Sequence, residues 1–284
     1  MSNGDNRHFK SLFSGAVSGV ISRSATAPLE RLKIMRQVAK TAQNEGMWQT
    51  FGNIYRMEGL RGFYKGNGVN AVRIMPYNAI QFASFHKYKE MFGVTKNTNG
   101  RLIAASSCAG MTSVLTCYPL DLIRSVITIQ TGDKPKYKGI TNTASIIYRE
   151  RGVRGLYSGL HASMFGIIPY VGINLAVFDM LRYRFQPDAS HPCFDMYNFG
   201  LGGVASTVSV ATTYPTELVR RRLQLSGILG TNTYTGVTDC ILRTWQCKGF
   251  SGFYQGFVPC FLRVIPAMSI VFGINERMRQ WLDF

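Results

Sequence analysis

Three short runs set a carboxylate and a base at fixed distances behind a proline: Pro28-Leu29-Glu30-Arg31-Leu32-Lys33, Pro119-Leu120-Asp121-Leu122-Ile123-Arg124 and Pro215-Thr216-Glu217-Leu218-Val219-Arg220. The prolines stand 91 and 96 residues apart, so one unit fills the chain three times. A proline inside a helical pattern frees a backbone carbonyl and bends the helix, and here an acid and a base follow within a turn of the bend. Charges in apolar helices persist only where they face protein or water and find opposite charge. Three acids and three bases are the number that closes a ring in which each acid meets the base of a neighbouring helix. Such a ring would work as a gate.

The elements that must position these charges follow the same period. A long helical pattern runs from about Phe9 to Val38, with Gly15 and Gly19 four apart, a spacing that lets helices approach closely in a bilayer. Nine residues before each motif proline stand Gly19, Gly110 and Ser206, all small. After each motif comes a polar stretch and then a glycine signature: Gly59, Gly62 and Gly66; Gly152, Gly155 and Gly159; Gly249, Gly252 and Gly256. These glycines suit a helix end and a tight re-entry whose free N–H groups can hold a lipid phosphate. A second helix follows in each repeat, with Pro76, Pro169 and Pro266 ten residues past the last glycine. The pattern predicts six helices in three pairs, within repeats of about 9–92, 101–185 and 194–284. Short surface helices are expected near Thr50 to Met57, Thr141 to Tyr148 and Val237 to Thr244.

Composition restricts the function classes. The chain has 284 residues, 46% hydrophobic and 17% charged, and a net charge of +17. Its mean hydropathy is zero, as expected for helices with one lipid face and one wet face. The bases are scattered and no nucleic-acid motif accompanies them, which leaves anionic lipid and an anionic solute as partners. Loops within the repeats (40–66, 132–160, 226–256) carry twelve Lys or Arg against five acids, whereas those between repeats (92–100, 183–193) carry two bases and one acid. One face is therefore the basic one. The six cysteines show no metal-ligand spacing, and no nucleophile or carboxylate pair has catalytic spacing, so neither a metal, a cofactor nor an enzyme is expected. The first residues lack a secretory core and an Arg-rich presequence, so targeting is expected to be internal.

The proline-acid-base motif three times over, each followed by the glycine signature, resembles the mitochondrial carrier family over essentially the whole chain. The resemblance implies an all-α membrane protein with six transmembrane helices in three pseudo-threefold pairs. It also implies short surface helices, alternating access, both termini toward the cytosol, and a multi-pass place in the inner mitochondrial membrane or that of a related organelle. Cardiolipin is the lipid partner that best fits the glycine signature, and the fold needs no second copy to form its path. Thr26 to Lys33, Glu58 to Gly68 and Gly166-Ile167-Ile168-Pro169-Tyr170-Val171-Gly172 are similar to the branch that moves adenine nucleotides, including ATP-Mg/phosphate carriers. Coenzyme A and thiamine pyrophosphate carriers lie close by.

Residue roles follow from that resemblance. The inner ring is expected to pair Glu30 with Arg124, Asp121 with Arg220 and Glu217 with Lys33, braced by Gln37 and Gln224, with Thr128 in the matching place of the middle repeat. Substrate contacts are expected at Arg73 and Arg263, each three residues before an even-helix proline, and at Gly166 and Ile167 on the fourth helix. Two cations and one uncharged slot suit an asymmetric substrate with phosphates at one end. Arg23 and Arg221 would add cavity charge, and Tyr170 a ring to stack on adenine. Arg222 is followed by Leu223-Gln224-Leu225, and Val171 follows the tyrosine, both departures from strict ADP/ATP exchangers. Broader adenine nucleotide transport, with magnesium or phosphate, fits better. An outer gate would use Lys89, Asp179, Arg182, Glu276 and Arg279. His86 stands where the second helix should hold an acid, so that gate would be the weaker one, and the empty protein would rest open to the cytosol. A coenzyme A or thiamine pyrophosphate carrier and a carrier fold kept as a structural subunit remain as alternatives.

Overall fold

The computed structural model describes residues 15, 17–39, 42, 45–94, 99–132, 136–185, 194–228 and 231–282. Among them every regular element is helical. The first long helix occupies residues 17–25, pauses at Thr26 and continues as α1 (Ala27–Val38). A surface helix, α2 (Met47–Gly62), and a long helix, α3 (Asn67–Met91), complete the first unit. The second unit repeats this order with α4 (Asn99–Ile129), α5 (Gly139–Leu156) and α6 (Leu160–Phe185). The third has α7 (Phe194–Gln224), α8 (Val237–Lys248), a 3-10 turn (Gly249–Tyr254) and α9 (Phe257–Leu282). Among the described residues, two stretches are apolar enough by length and composition to cross a membrane, α6 and Val237–Val271.

Five of the repeated prolines lie inside their helices, as the pattern predicts. Pro28 differs, because it occupies the first turn of α1, where its missing N–H leaves no bond unmade. The path still stays helical, since the Thr26 N–H donates to the Ser22 carbonyl at 3.0 Å and the Glu30 N–H to that of Thr26 at 3.1 Å. The surface helices run longer than expected. In α2 and α5 the helix continues past a kink at Gly59 and Gly152, both at φ 64°, and the third unit places Gly249 at φ 58°. Only glycine takes that conformation cheaply.

Close packing is met at Gly110, as expected, and in all three units also one residue before the expected place. Ser18, Ala109 and Ala205, ten before each motif proline, are almost wholly buried. A Cβ on Gly110 would stand 3.2 Å from Ile167 Cγ2, whereas one on Gly19 would have nothing within 4 Å. Six before each proline stand Ser22, Ser113 and Ser209, and their buried hydroxyls all find backbone carbonyls, of Ala267, Ala109 and Ala205.

The units interlock in a cycle through the last glycine of each signature. Gly66, Gly159 and Gly256 have φ of 83°, 78° and 81°. A Cβ on Gly66 would strike Thr128; on Gly159, the Gln224 backbone N at 2.8 Å; on Gly256, the Lys33 carbonyl at 2.9 Å and Gln37 at 3.3 Å. Thr128, Gln224 and Gln37 are the three residues nine past each proline, so every unit leans on the motif helix of the next. Tyr118 and Tyr214, which precede two of the prolines, are fully buried and donate to the Ser158 and Gln255 carbonyls at 2.5 and 2.9 Å. Ala27 stands at that place in the first unit.

Gly159→Ala adds both the left-handed strain and a backbone collision, so it is expected to cost about 1–3 kcal/mol. Gly172→Ala, whose Cβ meets nothing within 4 Å, should change stability little. Thermal unfolding of the two purified variants checks the contrast, and equal melting temperatures would reject the interlock.

Candidate functional site

All three expected ion pairs are present. Arg124 Nη2 lies 2.6 Å from Glu30 Oε1, Arg220 Nη2 lies 2.8 Å from Asp121 Oδ2, and Lys33 Nζ lies 2.7 Å from Glu217 Oε1. Each joins the motif helix of one unit to that of another, so the three pairs close a ring. Gln224 donates to Asp121 at 3.2 Å. Gln37 instead donates to the Tyr214 hydroxyl at 3.0 Å, beneath a tyrosine ring that Lys33 overlies at 5.7 Å. Thr128 turns its hydroxyl back to the Arg124 carbonyl.

The residues expected to meet substrate divide into two groups. Arg73 and Arg263 reach the ring from the even helices, with Arg73 Nη1 3.5 Å from Asp121 Oδ1 and Arg263 Nη1 3.8 Å from Glu30 Oε2. Arg23 lies in the fields of Glu30, Arg73, Arg124 and Arg263. Buried Nε atoms of Arg73, Arg220 and Arg263 have no hydrogen-bond partner. Tyr170 lies beside Ser206 and within the field of Tyr77, whose ring stacks against the Arg73 guanidinium at 5.5 Å. Gly166 faces Thr216.

Two assignments change. Arg221, expected in the cavity, is 9% exposed and is tied to Asp121 at 3.3 Å, Ser125 at 2.7 Å and Gln224 at 2.8 Å, so it belongs to the ring's support. Ile167 packs a methyl against Gly110 of α4, which makes it part of a helix–helix contact. At the opposite end, Lys89, Asp179 and Arg182 are exposed, and the side chains of Glu276 and Arg279 lie outside the described residues. The ring end is thus drawn together, whereas these three outer residues are exposed.

Charge decides what the arrangement can hold. Seven cations (Arg23, Lys33, Arg73, Arg124, Arg220, Arg221, Arg263) converge on three carboxylates (Glu30, Asp121, Glu217). The surplus, with unpartnered donors among buried guanidiniums, suits a polyanion.

A second charged cluster was not foreseen, because it does not obey the threefold pattern. Arg31, wholly buried, bonds Glu58 at 2.7 Å, the Gly62 carbonyl, and the Thr128 and Gln130 carbonyls at 3.1 Å each. Lys65 adds 2.9 Å to Glu58, which also accepts the Gly132 N–H at 3.1 Å. Arg151 donates to the Ser226 and Gly227 carbonyls, and Arg222 to that of Gln37. These three arginines put cations at the ends of the motif helices of the neighbouring units, where carbonyls lack partners. The available signal was an arginine inside the first motif and an acid just before Gly59, a combination the other repeats lack.

Comparison with known proteins gives one consistent result. The family described as mitochondrial carrier protein matches residues 4–96, 95–189 and 194–284. A mitochondrial adenine nucleotide transporter of Arabidopsis thaliana is 34% identical over 96% of this chain and 87% of its own length. A mitochondrial adenyl nucleotide antiporter of Danio rerio is 33% identical over 96% of this chain, which spans 58% of that relative's length. A mitochondrial carrier protein of Zea mays, CoAc2, is 31% identical over 96% of this chain and 86% of its own.

Burial alone would raise the Glu58 carboxyl, but the hydrogen bonds and charges of Arg31 and Lys65 outweigh it and hold the group below the usual carboxylate value. Its contribution is complete above the unfolded pKa of about 4.3 and is lost as pH falls through the lower folded value. Glu58→Gln strands a buried arginine and is expected to cost about 3–5 kcal/mol. Unfolding of both proteins followed from about pH 7 to about pH 3 should show a gap that holds to about pH 5 and then closes. A gap unchanged across the whole range would contradict the ion pair.

Proposed function

Since the chain belongs to the mitochondrial carrier family and is thus a transporter and not an enzyme, we propose that it exchanges adenine nucleotides across the inner membrane of the mitochondrion or a related organelle. The six long helices span that membrane, and a single copy supplies the path. ATP, ADP and AMP are the substrates, with magnesium or phosphate as companions. The observation that carries the reading is the excess of seven cations over three carboxylates at the ring, together with the unpartnered buried Nε atoms.

Arg73, Arg263 and Arg23 take the phosphates, and Arg73 and Arg263 already lie against ring carboxylates. Tyr170 and Tyr77 offer an aromatic wall for the base, with uncharged Gly166 nearby. The names of the Arabidopsis and zebrafish relatives support the same substrate. The ring of Glu30, Lys33, Asp121, Arg124, Glu217 and Arg220 is the matrix gate, and Gln37, Gln224 and Arg221 support it. The closed ring supports the reading that the empty protein rests open to the cytosol. A cavity of about 580 Å³ beside Arg151, Gly159 and Gly236 suits a cardiolipin phosphate on free backbone N–H groups.

Exchange of labelled ATP, ADP, AMP, coenzyme A and thiamine pyrophosphate in liposomes tests this. Nucleotide exchange is expected, reduced about 10–100-fold in Arg73→Gln and Arg263→Gln, the equivalent of one lost charged hydrogen bond of about 1.5–3 kcal/mol. The swap Lys33→Glu with Glu217→Lys should recover exchange relative to either single change. Uptake confined to coenzyme A or thiamine pyrophosphate would transfer the assignment to those carriers, and no uptake at all would favour a structural subunit.

A further inference from the structure

One polar side chain beside the aromatic wall has no part in holding phosphates. Asn174 stands on α6 one turn past Tyr170 and two past Gly166, and residues four apart share a helix face. α6 begins beside Gly159, which packs against Gln224 of the motif helix, and runs toward Phe185. Tyr170 and then Asn174 therefore lie progressively farther from the ring. A nucleotide with its phosphates on Arg73 and Arg263 carries its base toward that side.

The contacts of Asn174 fix how its amide is presented. Its Nδ2 donates to Ser206 Oγ of α7 at 3.2 Å. Tyr170 lies beside the same serine and within the field of Tyr77, a residue of α3. The face of α6 that bears Tyr170 and Asn174 is thus the one turned toward α3. Among the described residues the partly buried Asn174 side chain makes no other hydrogen bond. Its Oδ1 and one N–H are left open, an acceptor and a donor side by side on a flat amide.

That pair is the complement of one edge of adenine, whose 6-amino group donates and whose adjacent ring nitrogen accepts. Hypoxanthine, with a carbonyl oxygen in place of the 6-amino group, presents an acceptor where adenine presents a donor. An amide matches it only by turning over, and Ser206 opposes that turn by holding the NH2 end. We infer that Asn174, held by Ser206, reads the 6-amino edge of the purine and sets a preference for adenine over 6-oxopurines. This rests on the nucleotide reading above and names the residue that chooses the base. A mismatched base leaves polar groups of the site unpaired, which is what makes such a contact selective.

Exchange of labelled ATP by the full chain in liposomes, competed with unlabelled ATP or ITP, tests the inference, because the two nucleotides differ only in the base. ATP is expected to compete about 5–150-fold better than ITP, the range of one bidentate amide–adenine pair. In Asn174→Leu the two should compete within about threefold of each other. Ser206→Ala, which frees the amide to turn, should move the ratio in the same direction. Arg73→Gln, which alters a phosphate contact, should weaken competition by ATP and ITP in equal proportion. A side chain that only braces α6 against α7 behaves otherwise: its loss lowers the melting temperature and the exchange of both nucleotides alike and leaves the ratio as it was. That result in Asn174→Leu, or an unchanged ratio in Ser206→Ala, overturns the inference. Wild-type protein that exchanges nucleotides without distinguishing ATP from ITP overturns it alone, whereas protein that exchanges no nucleotide overturns the proposed function as well.

Discussion

A motif carboxylate buried between helices must meet a cation, and in this chain its ion-pair partners come from another repeat. That requirement holds the three units in a closed cycle, because no unit can neutralise its own motif acid in the ring. The coordination is unequal. Asp121 receives Arg220, Arg221, Arg73 and Gln224, Glu30 receives Arg124 and Arg263, and Glu217 has Lys33. The ring contacts at 2.6–2.8 Å are charged hydrogen bonds, whereas those from Arg73 and Arg263 at 3.5 and 3.8 Å are looser. On the proposed function, an anion would compete first for the even-helix arginines. Two of the three acids would feel that competition directly, and Glu217 would not.

The glycine contacts turn this charge cycle into a mechanical one. Gly66, Gly159 and Gly256 each touch the residue nine past the neighbouring proline, less than two turns beyond the ring acid. Motion of a motif helix must therefore push on the glycine elbow of the next unit, since close-packed backbone cannot be compressed. Tyr118 and Tyr214 reinforce two of the elbows by bonding the carbonyl just before the glycine. The first unit, with Ala27 in that place, is instead braced by Arg31 and Glu58. The same mechanical task is met by a tyrosine hydroxyl in the second and third units and by an ion pair in the first.

What the sequence discloses is whatever repeats. Pairs such as Glu30 with Arg124 were legible because three copies of one motif in one register leave few ways to neutralise three acids. The helix pairs were legible from the prolines and glycines. Arg221 was misplaced because neighbouring arginines on a helix diverge by about 100°, and the spacing alone does not say which faces the cavity. Ile167 also packs on Gly110, a neighbour that spacing alone does not reveal. The small-residue contact was read one position late, at Gly19 instead of Ser18, an error of one helix step. Arg31, Glu58, Arg151 and Arg222 stayed hidden because they serve one mechanical end from unlike positions, and periodicity cannot detect that.

The distribution of uncompensated charge ties these observations together. The three ring pairs are balanced, three acids against three bases, and the positive surplus lies beside them, at Arg221 and at Arg23, Arg73 and Arg263 toward the even helices. Arg222 bonds the Gln37 carbonyl at the end of α1, and Lys33, one turn earlier on the same helix, holds Glu217. Arg222 is thus linked to the ring through one turn of helix.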